Sequence, residues 1–314
     1  MIVTVTPNTA IDRTLFVPSF KLNQTIRASR VAIGMGGKAA DASWVLGELG
    51  IPSLALGFAA GQTGQQMEAM LQSRGVTTDF VWVQGETRIN TLIVCEDGSG
   101  QSTITVEMLT VGPADVEALL ARYRTALAEG ATCVVMGGSV PPHASPSIYT
   151  QMIQEAVERG IPVVFDASGA ALRAGLAGGP TFIKPNRTEL EEIVGHPISS
   201  IETAYRAACD IQQSFGTSLV VTLGEEGALA VLPDRAYRIP PLQVEVSSTA
   251  GAGDGVLAGL AAVLSRGRPL EDGLRLGFAA AGAILMTPAT ADCRRADVER
   301  LVPLVELIPY GEGG

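Results

Sequence analysis

Residues 251–254 read Gly-Ala-Gly-Asp and open an apolar helical stretch, Val256-Leu257-Ala258-Gly259-Leu260. Gly251, Ala252 and Gly253 leave the turn's backbone N–H groups bare, and a bare helix N-terminus attracts anions. Asp254, in the first helical turn, either caps that helix or takes a proton from a group reacting with the bound anion. A second cluster, "GMGGKAADAS" (34–43), is a glycine-rich turn that also opens a helix. Gly36 and Gly37 permit close backbone approach to a ligand. Lys38 at a helix start opposes the helix dipole, so it gains from a nearby anion; otherwise it is a solvated lysine at a turn. Asp41 follows one turn later, so both side chains face one pocket. An ionised Asp41 must pair with Lys38 or accept from a ligand hydroxyl, because left unpaired it is costly. Arg88, in "GETRIN", is either a surface arginine or an anion clamp, since a guanidinium matches phosphate through two parallel bonds.

Two more clusters lie at the ends of predicted strands. In "IKPNRTELE" (183–191), Lys184 and Asn186 end a buried strand, and Asn186 with Glu189 has capping-box spacing. Capping alone explains that pair. The alternative places Asn186 and Glu189 where α/β proteins bind ligands, with Glu189 ordering waters around Mg²⁺. "VTLGEEGALA" (221–230) is strand, glycine turn, strand; Gly224 and Gly227 either serve the turn or let a nucleotide lie against the backbone. There is no G-x-x-x-x-G-K-[ST] sequence and no G-x-G-x-x-G after the first strand, so a nucleotide site here is of another type.

The elements that must position these residues alternate. "IVTV" (2–5), "SLALGF" (53–58), "TCVVMG" (132–137), "IPVVFDA" (161–167), "TFIKP" (181–185) and "SLVVTLG" (218–224) are apolar without alternation, the pattern of parallel strands covered on both faces. Helical patterns lie between them at Ala39–Leu49, Gly64–Gln72, Pro113–Ala128, Ser147–Arg159 and Glu202–Phe215. Two more follow at about 253–266 and 270–286. This predicts an α/β fold with a doubly wound, mostly parallel sheet flanked by helices, one domain over 1–314. Segments 12–33 and 87–108 break the rhythm. They read as antiparallel strands with turns, "EDGSGQ" being a hairpin signal, and are expected to form one small β-sheet lid from two insertions.

Composition narrows the function. The 314 residues are 46 % hydrophobic and 17 % charged, which suits a large core. A net charge of −10 argues against a nucleic-acid surface. Cys95, Cys133, Cys209 and Cys293 form no C-x-x-C pair, and only His143 and His196 are present. A zinc site, a redox pair, a Ser-His-Asp triad and a multi-histidine metal site therefore have no support. With no signal-peptide pattern and no apolar run of 18 residues, the expectation is a cytoplasmic protein without a membrane partner.

These clusters, in this order, resemble the PfkB/ribokinase family of carbohydrate kinases. The resemblance covers nearly the whole chain: "TPNTAID", the Gly36-Gly37 turn, "GGSVPP" (137–142), "DASG" (166–169), "KPNRTE" (184–189), "TLGEEGA" (222–228) and "GAGD" (251–254). "NTAID", "GGK" and "QGETRIN" look most like the phosphosugar branch that contains 1-phosphofructokinase and tagatose-6-phosphate kinase. The resemblance implies a ribokinase-like fold and ATP-dependent phosphorylation of a ketohexose phosphate such as fructose 1-phosphate or tagatose 6-phosphate. It implies Asp254 as general base and Gly251, Ala252 and Gly253 as anion hole. It puts Asp12, Gly36, Gly37, Lys38, Asp41 and Arg88 on the sugar-phosphate side, with Arg27 a weaker match. It puts Lys184, Asn186, Thr222, Gly224 and Gly227 on the nucleotide side, with Glu189 at the metal through water. ATP and Mg²⁺ are implied; K⁺ and a homodimer formed through the lid are compatible with it.

The chain departs from that pattern. Ala39 replaces a glycine, Asp41 an asparagine and Gly255 a small hydroxyl residue, and His143 stands where glycine is common. An aspartate only accepts where asparagine also donates, so Asp41 is expected to make the sugar site more restrictive. Two alternatives stand beside the phosphosugar kinase: a kinase of an unphosphorylated sugar or nucleoside, and a non-catalytic binding protein on this fold.

Overall fold

Aliphatic and β-branched runs form the strands and small-residue amphipathic runs the helices, as the computed structural model of residues 1–311 describes them. Residues 312–314 of the expected domain lie outside the described residues. In chain order the first half holds β1 (Ile2–Thr6), β2 (Ala10–Val17), β3 (Arg30–Gly36), α1 (Lys38–Glu48), β4 (Ser53–Ala59), α2 (Gly61–Ser73), β5 (Thr77–Thr78), β6 (Val81–Trp82), β7 (Gln84–Gly85), β8 (Arg88–Cys95), β9 (Gly100–Ile104), β10 (Leu109–Thr110) and α3 (Pro113–Ala128). The second half holds β11 (Cys133–Gly137), α4 (Ser147–Val157), β12 (Val163–Asp166), α5 (Gly169–Leu176), β13 (Phe182–Ile183), α6 (Arg187–Val194), α7 (Ile201–Phe215), β14 (Ser218–Thr222), β15 (Ala228–Val231), β16 (Ala236–Ile239), α8 (Ala252–Leu264), α9 (Leu270–Leu285), α10 (Arg295–Leu301) and β17 (Ile308–Pro309).

The main sheet runs β17-β16-β15-β14-β13-β12-β11-β1-β4-β5, with β6 also on β4. It is parallel from β4 to β14, and β15, β16 and β17 add an antiparallel edge. Both faces are covered, which is why these strands lack alternation. Val3, Val5, Val134 and Met136 point into one core with α3, α4 and α7; Ile2, Cys133 and Val135 point into the other with α1, α8 and α9. The carboxyl ends of the parallel strands therefore gather along one edge, where Asp166 and Thr222 sit and where the chain continues into Lys184 and Asn186.

A second sheet, β3-β2-β8-β9, holds the two segments outside the βα rhythm. Each segment is an antiparallel hairpin, but β2 and β8 join them in parallel, with Asp12 opposite Asn90. The first strand begins earlier than expected, at Ala10, the second segment starts at Arg88 close to the expected 87, and β3 runs on to Gly36, so the sheet leads straight into α1. Several short elements were not legible as separate units: α5, α10 and the two-residue strands β5, β6, β7, β10 and β17. Among the described residues no helix is long and apolar enough to cross a membrane.

Candidate active site

Lys38 is the first residue of α1, and Gly37 before it holds φ 101°, a left-handed value that a side chain would strain. This turn sends the Lys38 side chain across to the sheet edge. There Asp166 Oδ2 accepts from Lys38 Nζ at 3.1 Å and from Lys184 Nζ at 2.9 Å. Lys38 is thus tied to Asp166 with its side chain 36 % exposed, and of the two partners open to Asp41 from the sequence, Lys38 or a ligand hydroxyl, no ion pair to Lys38 forms among the described residues. Asp166 is the hub that the sequence reading missed. Its one signal in the sequence is its place at the end of a buried strand, within "DASG". Burial acts to raise its carboxyl, but Lys184 and Lys38 outweigh burial and hold it below the ordinary range.

Asp254 lies in the first turn of α8, 6 % exposed. The N-cap is Gly251 at φ 78°, in the left-handed region, and no side chain caps the helix. Asp254 is therefore not a side-chain cap. Its own N–H is used, bonding to Gly251 O at 2.9 Å, while the N–H groups of Ala252 and Gly253 have no acceptor among the described residues. Burial pushes the Asp254 carboxyl up to about 6, with Lys38 and Lys184 pulling it down and Asp166 pushing it up. Lys38 stays protonated, because Asp166, Asp254 and Glu189 together outweigh its desolvation.

Asp41 is 4 % exposed and points at Asp254 and Asp12. Burial raises its carboxyl well above the ordinary value, the charges of Asp254 and Asp12 raise it further, and Lys38 opposes them. The sequence left an ionised Asp41 to Lys38 or to a ligand hydroxyl; no ion pair joins it to Lys38 among the described residues, and its surroundings raise its carboxyl. Asp12 accepts from Asn90 Nδ2 at 2.8 Å, and a Cβ at Gly36 would collide with its carboxyl. Arg88 side-chain exposure is only 11 %, so it is not a surface arginine. Its Nη1 donates to Glu107 and Thr105, both at 3.1 Å, and its Nη2 reaches Asn8 O and Ser139 Oγ at 3.4 Å. Arg27 is exposed between β2 and β3, and no ion pair joins it to this group among the described residues.

On the other side of Gly253 lies a cavity of about 1050 Å³ lined by Asn186, Thr222, Gly224, Gly227, Ala252, Gly253 and the apolar Val256, Phe278 and Leu285. Its size and mixed lining suit a nucleotide. Asn186 caps α6 from its side chain to Glu189 N at 2.9 Å, and Glu189 Oε2 accepts from Asn186 N at 2.9 Å. The capping box is real, and it leaves one Glu189 oxygen uncommitted. Among the described residues no three acidic, cysteine or histidine side chains gather as a metal cage. One free carboxylate oxygen, next in the chain to Thr188 of the cavity lining, fits a hard divalent ion that takes most of its ligands from elsewhere.

Two departures have structural reasons. His143 sits at φ 69°, which explains the preference for glycine at such a position. A Cβ at Gly255 would lie 2.8 Å from Ala281 N, so α9 leaves no room for a hydroxyl side chain.

Known proteins are similar to this chain over most of its length. The pfkB family carbohydrate kinase profile matches residues 3–297. 1-Phosphofructokinase of Bacillus subtilis (strain 168) is 31 % identical over 90 % of this chain and 92 % of its own length. The structure of phosphofructokinase-2 from Escherichia coli in complex with potassium superposes with a TM-score of 0.86 at 27 % identity, covering 96 % of this chain and 98 % of the other. The tetrameric inhibited form of the same enzyme gives 0.85 at 27 % identity and the same coverage. The fold is ribokinase-like α/β, as the sequence implied.

Proposed function

The chain belongs to the pfkB family of carbohydrate kinases, a family of ATP-dependent sugar phosphotransferases, and from that premise we propose that it phosphorylates a ketohexose phosphate of the fructose 1-phosphate or tagatose 6-phosphate kind. The observation that carries this reading is the buried Asp254, at a bare helix N-terminus, between the cavity and the Asp12–Asp41–Lys38 group.

In this reading ATP occupies the cavity beside Thr222, Gly224, Gly227 and Asn186, with its phosphates towards Gly253. The sugar lies on the side of Asp12, Gly36, Gly37 and Asp41. Asp254 accepts the proton of the attacking hydroxyl, and its value near 6 leaves it ionised at neutral pH. The N–H groups of Ala252 and Gly253, with Lys38 and Lys184, face the charge that develops on the transferring phosphoryl group, and phosphoryl transfer needs mainly such positioning and electrostatics. Glu189 would hold Mg²⁺ through water, and the ion would supply charge neutralisation at the phosphates. Arg88 meets the non-reacting phosphate in place of Glu107, a 41 % exposed carboxylate that leaves Arg88 and Asn8 Nδ2 when the phosphate binds.

The remaining elements of the reading concern setting and assembly. Dependence on K⁺ is supported by the potassium in the E. coli phosphofructokinase-2 structure and is checked by turnover in K⁺ against Na⁺ buffers. The chain is one domain, with β2, β3, β8 and β9 as its lid. A homodimer through the lid is supported by Val31, Ile33 and Ile104, which expose aliphatic surface there; a monomer in sedimentation at working concentration would overturn it. Four free cysteines suit the cytoplasm.

The test is ADP release from ATP with fructose 1-phosphate, tagatose 6-phosphate, fructose and nucleosides. Preference for a sugar phosphate is expected. One observation favours the second reading, a kinase of an unphosphorylated sugar: Arg88 and Lys38 both already have carboxylate partners, Glu107 and Asp166. Turnover of fructose above either phosphate would establish that alternative.

A further inference from the structure

We propose that Asp41 keeps its proton in the folded protein and donates it in a hydrogen bond to Asp254, so that it positions the base and sets its charge. The role of Asp254 rests on the kinase reading above; the proton on Asp41 does not.

The geometry brings two helix N-termini together. Asp41 is in the first turn of α1 and Asp254 in the first turn of α8, and these helices pack on each other. Both carboxyls are more than nine-tenths buried at the start of these packed helices, and each is among the groups that act on the other. Each has a buried Oδ1 with no other partner among the described residues. Two ionised carboxylates in that contact repel strongly at low dielectric, whereas one shared proton satisfies both.

The surrounding charges decide which acid keeps it. Asp41 faces Asp254 from α8, Asp12 from β2 and Lys38 from its own helix, two anions against one cation. Asp254 faces Lys38 from α1, Lys184 after β13, Asp166 at the end of β12, and Asp41 itself. Arg88 and Glu189 act at one remove, on Asp12 and on Lys38. The two lysines stabilise charge on Asp254, and the proton stays on Asp41.

During transfer the sugar hydroxyl's proton passes to the Asp254 carboxylate. The hydroxyl oxygen bonds the γ-phosphorus as the bond to ADP breaks, and the Asp41 proton does not move. An asparagine at 41 would donate equally well but could not lose its proton. The aspartate adds an alkaline limit: once Asp41 ionises, a second negative charge stands against the base.

The direct test is carbon-13 NMR of the full chain labelled at aspartate Cγ. At pH 7 one carboxyl should have the shift of a neutral acid. It should vanish in Asp41→Asn and persist in Asp79→Asn, a surface position. No neutral carboxyl at pH 7, or one that survives Asp41→Asn, overturns the proposal. The kinetic arm measures ADP release from ATP with fructose 1-phosphate and with tagatose 6-phosphate across pH. Wild type should lose kcat/KM on the alkaline side, and Asp41→Asn should not. Asp41→Leu, which lacks the donor, should lower kcat by about 10- to 100-fold, with Asn recovering part of the loss and the acid limb of Leu moved to higher pH. An alkaline limb retained unchanged in Asp41→Asn does not arise from Asp41 and overturns its role in setting the charge of the base. If neither phosphate turns over, the substrate reading fails, and the NMR arm still decides where the proton is.

Discussion

At the scale of single residues, the base is held between burial and two lysines. Asp254→Asn keeps the size and loses the ability to accept a proton, so turnover should fall by about 10²–10⁴. ATP binding, measured by titration, should change little; turnover within about threefold of wild type would leave Asp254 without a base role. Lys38 pulls the Asp254 carboxyl down from where burial would put it. Lys38→Met should therefore let Asp254 hold its proton to higher pH. The acid limb of kcat/KM, expected near 6 in wild type, should move upward in that variant; an unmoved limb would show that Lys38 does not set the base. The types of these residues were legible because an acid or a lysine at a helix start goes against or exploits the dipole. Their partners were not. Asp166 and Lys38 are separated by 128 residues, and only the sheet brings them together. Helical spacing alone offers Asp41 to Lys38, whereas the packing of α1 on α8 offers it to Asp254.

At the scale of elements, α8 and α9 pack through small residues, and this fixes the start of α8 and so the site. A Cβ at Gly259 would run into the backbone of Gly277, and one at Gly255 would lie 2.8 Å from Ala281 N and 3.0 Å from Ile284 Cδ1. Gly255→Ser, which restores the residue type common in relatives, should therefore destabilise this chain by about 1–3 kcal/mol through overpacking. Thermal unfolding checks it: an unchanged melting temperature would mean that α9 shifts freely. The main strands were legible from their unbroken apolar runs, and α3 was read with its observed bounds, Pro113–Ala128. The proline at N1 and the following periodicity mark it. The eight-residue α5 and seven-residue α10 are too short to build a periodic signal, and the two-residue β17 exists only because β16 offers it an edge. The parallel join of β2 to β8 was likewise hidden, since it links separate segments of the chain.

At the scale of the whole molecule, the site's protons feed into folding stability. Asp41 and Asp254 are both raised above 3.8, the ordinary aspartate value, so between 3.8 and its folded value each holds a proton that the unfolded chain has lost; for Asp254 that window closes near 6, while Asp41 lies well above the ordinary value. For such a group stability is fully present below the unfolded value and declines as pH rises towards the folded one. Asp166 has the opposite sign: its stabilisation is present above the unfolded value and fades as pH falls through its depressed native value. Comparing Asp41→Asn with wild type removes the terms common to both and isolates Asp41. The asparagine keeps a donor for Asp254 and has no proton to lose when the chain unfolds. The variant should therefore gain melting temperature relative to wild type as pH is raised from about 4 to 8, with the difference smallest at the acid end. A difference independent of pH would mean that Asp41 is ionised in the native state. A difference that shrinks with rising pH would mean that its carboxylate is held by a cation after all, as the spacing from Lys38 first suggested.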